Sequence, residues 1–170
     1  MANIYVGTYA KYNDGNLFGQ WIDPNDYSNK DAFIEACNEL HADETDPELM
    51  FQDWEDIPDR FIGESSVSEE LWDWLDLDED DRELLQVFAD NQWSGMEPPT
   101  IDDAREAFDG KFDSPEDWAE DYMESTGGLS EMPENLRSYF DFKAFARDCK
   151  LDGGMSFVEH SGHVWAFRNN

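Results

Sequence analysis

Residues 69–85, EELWDWLDLDEDDRELL, set nine carboxylates beside one arginine and two tryptophans in seventeen positions. Like charge at that density opposes compaction, and so it constrains every fold open to the chain. Disordered acidic segments lack the apolar residues that offset chain entropy. Here Leu71, Trp72, Trp74, Leu75, Leu77, Leu84 and Leu85 are threaded between the acids, so the stretch folds. A calcium loop needs acids at alternate positions, a central glycine and a closing glutamate. From Asp76 the acids at Asp78 and Asp80 fit, but Asp81 takes the glycine position and Val87 the glutamate position.

The same excess runs through the chain: 42 acids face 11 bases in 170 residues, for a formal charge of −31. A field of that sign repels nucleic acid and anionic membranes and calls for a basic partner. Yet 39% of residues are hydrophobic and 15% aromatic, enough for packed cores. Two cysteines, Cys37 and Cys149, lie far apart; both read as packed thiols rather than a disulfide framework. No apolar run reaches the ~20 residues of a membrane span, and MANIYVGTYA has neither the basic region nor the long apolar stretch of a signal peptide. The reading is cytoplasmic.

Three small domains are expected, giving an α+β chain. Residues 1–62 hold two strand patterns, NIYVGTY and LFGQWI, around the turn signal Asn13-Asp14-Gly15, which predicts a hairpin. SNKDAFIEACNELH follows as a helix capped at Ser28 or Asn29, and LMFQDW (49–54) as a third strand. Over 63–103 the strand signal vanishes, and helices are predicted at 68–77, 79–91 and onward from Thr100, where Thr100-x-x-Asp103 reads as a capping box. Residues 104–170 begin helical, continue through a helix at 140–150, break at Gly153-Gly154 and end in a hairpin turning at Ser161-Gly162.

Catalytic motifs are missing: there is no glycine-rich phosphate loop, nucleophile elbow or spaced Cys/His cluster. With 42 acids a carboxylate pair is always to hand, so the pairing that glycosidases use carries no information here. His160 and His163 flank the last turn, but no cysteine joins them as a zinc ligand. No catalytic residue, cofactor or metal is expected.

The informative signal is where the acids fall. Window 43–59 has eight and no base, window 64–83 has ten and Arg82, and window 102–124 has ten and two bases. In SPEDWAEDYMES, Ser114 caps a helix begun by Pro115, Trp118 and Tyr122 share one face, and Asp117, Glu120, Asp121 and Glu124 occupy another. Such spacing sets neighbouring carboxylates roughly 5–6 Å apart, close to a phosphate spacing. Like-charge pairs of this kind destabilise a helix, and lysines at alternate positions would relieve them; they are absent. At one charge per ~1.7 Å of duplex, 31 charges correspond to about 53 Å, or about 15 base pairs. The acids expected to act as phosphate stand-ins are Asp43, Glu44, Asp46, Glu48, Asp53, Glu55 and Asp56; Glu69, Glu70, Asp73, Asp76, Asp78, Glu79, Asp80 and Asp81; and Asp117, Glu120, Asp121 and Glu124.

Two stretches, YVGTYAKYNDGNLFGQWID (5–23) and ADETDPELMFQDWEDIP (42–58), resemble the N-terminal region of the ArdA-type antirestriction proteins, and order and length agree more loosely over the rest. The resemblance implies an elongated, curved chain of three domains, commonly dimeric, that imitates bent duplex DNA. It implies occupation of the DNA groove of type I restriction-modification enzymes, at their methyltransferase core, in defence of incoming plasmid, transposon or phage DNA, and no catalysis. Two other classes share the charge. A salt-adapted protein would carry acids everywhere, whereas residues 137–170 hold four acids and five bases. An acidic binding protein or chaperone for other basic DNA-binding proteins would not need rigid domains. The near-neutral stretch 137–170 is also where two such chains are expected to meet as a homodimer.

Overall fold

The computed structural model describes residues 1–95 and 98–169; Met96, Glu97 and Asn170, of which Glu97 enters the charge count above, lie outside them. The chain is α+β, with small open sheets, and it groups into two compact units, 1–77 and 78–170. A division into three, with breaks after 62 and 103, stands as a separate proposal.

The first unit is built on a three-stranded antiparallel sheet in the order β2-β1-β3: β1 (Asn3–Thr8), β2 (Gln20–Ile22) and β3 (Leu49–Glu55). The first two strands pair as the sequence predicts, but not through a hairpin turn. A short helix, α1 (Tyr9–Asn13), intervenes. Thr8 starts it, its hydroxyl accepting from the Lys11 amide. Asn13-Asp14-Gly15, expected as the turn, is instead the helix stop. Gly15 takes φ 75°, its amide donates to Tyr12 and the Asn16 amide to Lys11. That is a Schellman closure, which favours glycine at the left-handed position. The competing chemistry of Asn-Asp-Gly as a C-cap is what won.

α2 (Lys30–Leu40), capped by Asn29, buries Phe33 and Cys37. Phe33 packs on Tyr27, Phe51 and Trp72 at centroid distances of 5.7, 6.3 and 5.8 Å. A two-strand ribbon, β4 (Ile62–Gly63) with β5 (Ser66–Val67), sits where no strand was predicted; two residues per strand are too few to show alternation. α3 (Glu70–Leu75) then buries Leu71, Trp74 and Leu75.

In the second unit Asp78 caps α4 (Glu79–Asn91), which buries Leu84, Leu85, Val87 and Phe88. The Thr100–Asp103 capping box opens α5 (Ile101–Ala107) as predicted. Next comes β6 (Phe108–Phe112), where helix was expected: its FDGKF sequence has an irregular register at Asp109, which erases period-two alternation. α6 (Pro115–Ser125), the short helices α7 (Gly128–Glu131) and α8 (Glu134–Arg137), and α9 (Phe142–Leu151) lead to the terminal hairpin. Its strands are β7 (Met155–His160) and β8 (His163–Arg168), turning through Ser161 and Gly162, both at positive φ. The sheet order is β6-β8-β7. Its core joins Trp118, Ala119, Ala146, Met155 and Ala166, with Phe145 and Phe157 packed against them. The Trp118 indole N–H is satisfied by Asp109, 2.7 Å away, which also pairs with Arg168.

Candidate partner-binding surface

Helix ends explain part of the acid excess without any partner. A carboxylate in a helix's first turn meets the positive end of the dipole and stabilises by about 0.3–1 kcal/mol. Glu70 and Asp73 occupy that place in α3, Glu79, Asp80 and Asp81 in α4, and Asp117 in α6. Asp78 and Ser114 accept from the Asp81 and Asp117 amides as caps. The calcium-like spacing from Asp76 is thereby accounted for: Asp76 ends α3 and Asp78 begins α4, so the supposed loop is helical from Glu79 onward.

Intramolecular cations hold a further few. The Lys11 ammonium reaches Asp43 at 2.8 Å, Glu44 at 3.2 Å and the Nδ1 of fully buried His41 at 3.0 Å. The hydrogen bond from Lys11 holds the Asp43 carboxyl below its ordinary range, and the Thr8 hydroxyl, followed by Lys11, does the same for Glu44. Arg105 pairs with half-buried Asp81, and the N-terminal ammonium with Asp56. The Ser68 hydroxyl holds Glu70 down.

A third group has no such account. Glu120, Asp121 and Glu124 are exposed on α6; Glu124 lies in its last turn, where the dipole disfavours negative charge, and that turn has no base. Glu120 and Glu124 are four apart, Asp121 and Glu124 three apart, so they also repel one another. Tyr122 stays half exposed while its ring stacks 5.3 Å from that of Trp118. Asp46, Glu48, Asp53, Glu55, Glu69 and Asp76 are likewise exposed, and among the described residues no ion pair reaches them. Of the nineteen acids named from the sequence, Glu44 and Asp81 alone are half-buried.

Sequence reasoning missed two arrangements. Glu83 accepts from the His160 ring and the Ser161 hydroxyl, each at 3.1 Å, and pairs with Lys111 at 3.2 Å. Burial pushes this carboxyl up, but its donors, Lys111 first, outweigh that and hold it below its ordinary range. The network ties α4 to the last turn, and His163 turns instead to Asp113, 3.5 Å away. The two histidines thus serve different carboxylates. Among the described residues no group of three or more His, Cys, Asp or Glu is set to hold a metal ion. The Cys37 thiol, buried, is pushed up to about 12.

The second arrangement is on the sheet of the first unit. Tyr5 stands opposite Trp21 on one side and Asp53 on the other, so an aromatic, an aromatic and a carboxylate form one row across three strands. Alternation in the predicted strands was the available signal.

Residues 4–164 match the family model described as antirestriction protein (ArdA). No curated protein matches the chain, and among the described residues no helix is long and apolar enough to cross a membrane.

Proposed function

We propose, since the chain belongs to the ArdA antirestriction family, that it inhibits restriction by mimicking DNA. Family membership implies an antirestriction function and interaction with restriction enzymes. The finer reading is that exposed carboxylates stand in for phosphates and occupy the DNA groove of a type I restriction-modification enzyme at its methyltransferase core, protecting incoming mobile-element DNA in the cytoplasm. The inhibitor acts by occupancy and performs no catalysis.

The observation that carries this reading is the set Glu120, Asp121 and Glu124. Acids that cost their own helix stability, with no ion pair to relieve them among the described residues, call for an external positive partner. The remaining exposed acids of the three windows extend the same surface, while Asp43, Glu44, Asp56 and Asp81, engaged within the chain, contribute less.

A competition assay tests it. Increasing protein should displace a labelled duplex from the methyltransferase core, and the protein should not itself bind the duplex. Simultaneous binding of duplex and protein to the enzyme, each without weakening the other, would refute the mimicry.

A further inference from the structure

The stretch 5–23 holds only two acids, so a pure charge reading leaves it without a role, yet it carries much of the exposed apolar surface of the first unit. Leu17 is 64% exposed, Phe18 49% and Trp21 40%. Alternation along β1 sends Ile4 and Val6, both fully buried, into the core and turns Tyr5 to the opposite face. There Trp21 meets Tyr5 edge-on with ring centroids 5.4 Å apart. The Tyr5 hydroxyl donates to the Leu17 carbonyl at 3.0 Å. Gly19 lets the loop lie against Tyr5: a Cβ there would come within 2.7 Å of the tyrosine ring. The tyrosine is thus held on two sides with its neighbour Trp21 open to solvent. Asp53 lies next in the row on β3, and the alternation of that strand leaves Asp53 and Glu55 exposed.

We propose that the row Trp21, Tyr5 and Asp53 is a seat for an arginine side chain of the protein's basic partner. The proposal rests on the reading that the partner is a cationic DNA-binding surface, and it names which cation that surface presents here. The first unit carries nineteen acids against three bases, so charge complementarity already selects a cation. The aromatics select among cations. A guanidinium is planar and weakly hydrated, stacks on an aromatic face and still offers its fork of N–H donors to a carboxylate. A lysine ammonium is a strongly hydrated point charge and gains less from the rings. Adjacent strands lie about 4.8 Å apart, so a guanidinium above Tyr5 has Trp21 on one flank and the Asp53 carboxylate on the other. Salt weakens the charge attraction, whereas the stacking contact is less sensitive to it.

The test titrates the full-length, ¹⁵N-labelled protein with octa-arginine and with octa-lysine, following the Trp21 indole N–H, assigned by its loss in Trp21→Phe. Octa-arginine should bind about two- to fivefold more tightly than octa-lysine, the ratio an exposed cation–π contact supplies, and should shift the Trp21 indole signal. Trp21→Thr, which suits an edge strand and leaves charge unchanged, should abolish the preference, lowering octa-arginine affinity more than octa-lysine affinity. Trp21→Phe should retain part of the preference. Equal binding of the two peptides by the wild-type chain overturns the seat while leaving the polyanion reading intact. A preference that persists in Trp21→Thr also overturns it. Failure of both peptides to bind overturns both readings. The wild-type comparison stands whether or not the variant folds.

Discussion

Lys11 shows how one cation can organise several carboxylates in a chain with few cations. Its side chain is only 12% exposed, and it binds Asp43, Glu44 and the His41 ring together. His41 in turn faces the Val6 carbonyl at 3.3 Å. Replacing Lys11 by methionine should destabilise the protein in thermal melts at neutral pH, because Glu44 and the buried imidazole lose their shared donor. The pH dependence has a definite sign. Asp43 and Glu44 titrate below their ordinary values when folded, so their contribution is fully present above the ordinary carboxylate range and is lost as pH falls through the depressed values. The gap between wild type and Lys11→Met should therefore narrow on acidification; a gap that widened would contradict the assignment. None of this was legible beforehand. Lys11 sits in the predicted connection between two strands and Asp43 thirty-two positions away, so no local pattern links them.

At the scale of elements, what could be read in advance was whatever is encoded locally. Ser114-Pro115 starting α6, the Thr100–Asp103 box and the Ser161-Gly162 turn each need only a few adjacent residues, and each is present. β4, β5 and β6 were not legible, since they are held by pairing with distant or very short partners rather than by their own pattern. The candidate surface divides the same way: acid windows are visible in sequence, but the split between acids that cap, acids that pair and acids that do neither requires the helix boundaries. That split yields a prediction for α6. Replacing Glu120, Asp121 and Glu124 by glutamine should each raise helix stability by a few tenths of a kcal/mol, since neighbour repulsion is relieved at all three and the dipole term as well at Glu124. Each single change should barely alter inhibition, because an exposed charge rarely contributes more than ~1 kcal/mol, and the triple change should weaken it clearly. Melting curves beside restriction-protection assays read both. Loss of inhibition from one substitution would point to a discrete site instead.

For the molecule as a whole, two chains of charge −31 can associate only where charge is low and apolar area is open. Residues 137–170 hold four acids and five bases, and Tyr139 and Leu151, 82% and 76% exposed, lie within them. A homodimer through this stretch is our proposal. Light scattering should return twice the chain mass, and Tyr139→Glu with Leu151→Glu should return a single chain; a monomeric wild type would rule the dimer out. The unrelieved carboxylates of α6 have a last consequence, in the solvent. A helix face with paired charges orders little salt around itself, but one without them gathers a cloud of small cations, as the backbone of a nucleic acid does. Each basic side chain that docks sets some of those ions free, and the entropy of their release becomes part of the binding. If the protein displaces DNA from its target as proposed, its grip would then be governed by the ionic content of its surroundings, falling as salt rises in step with that of the DNA.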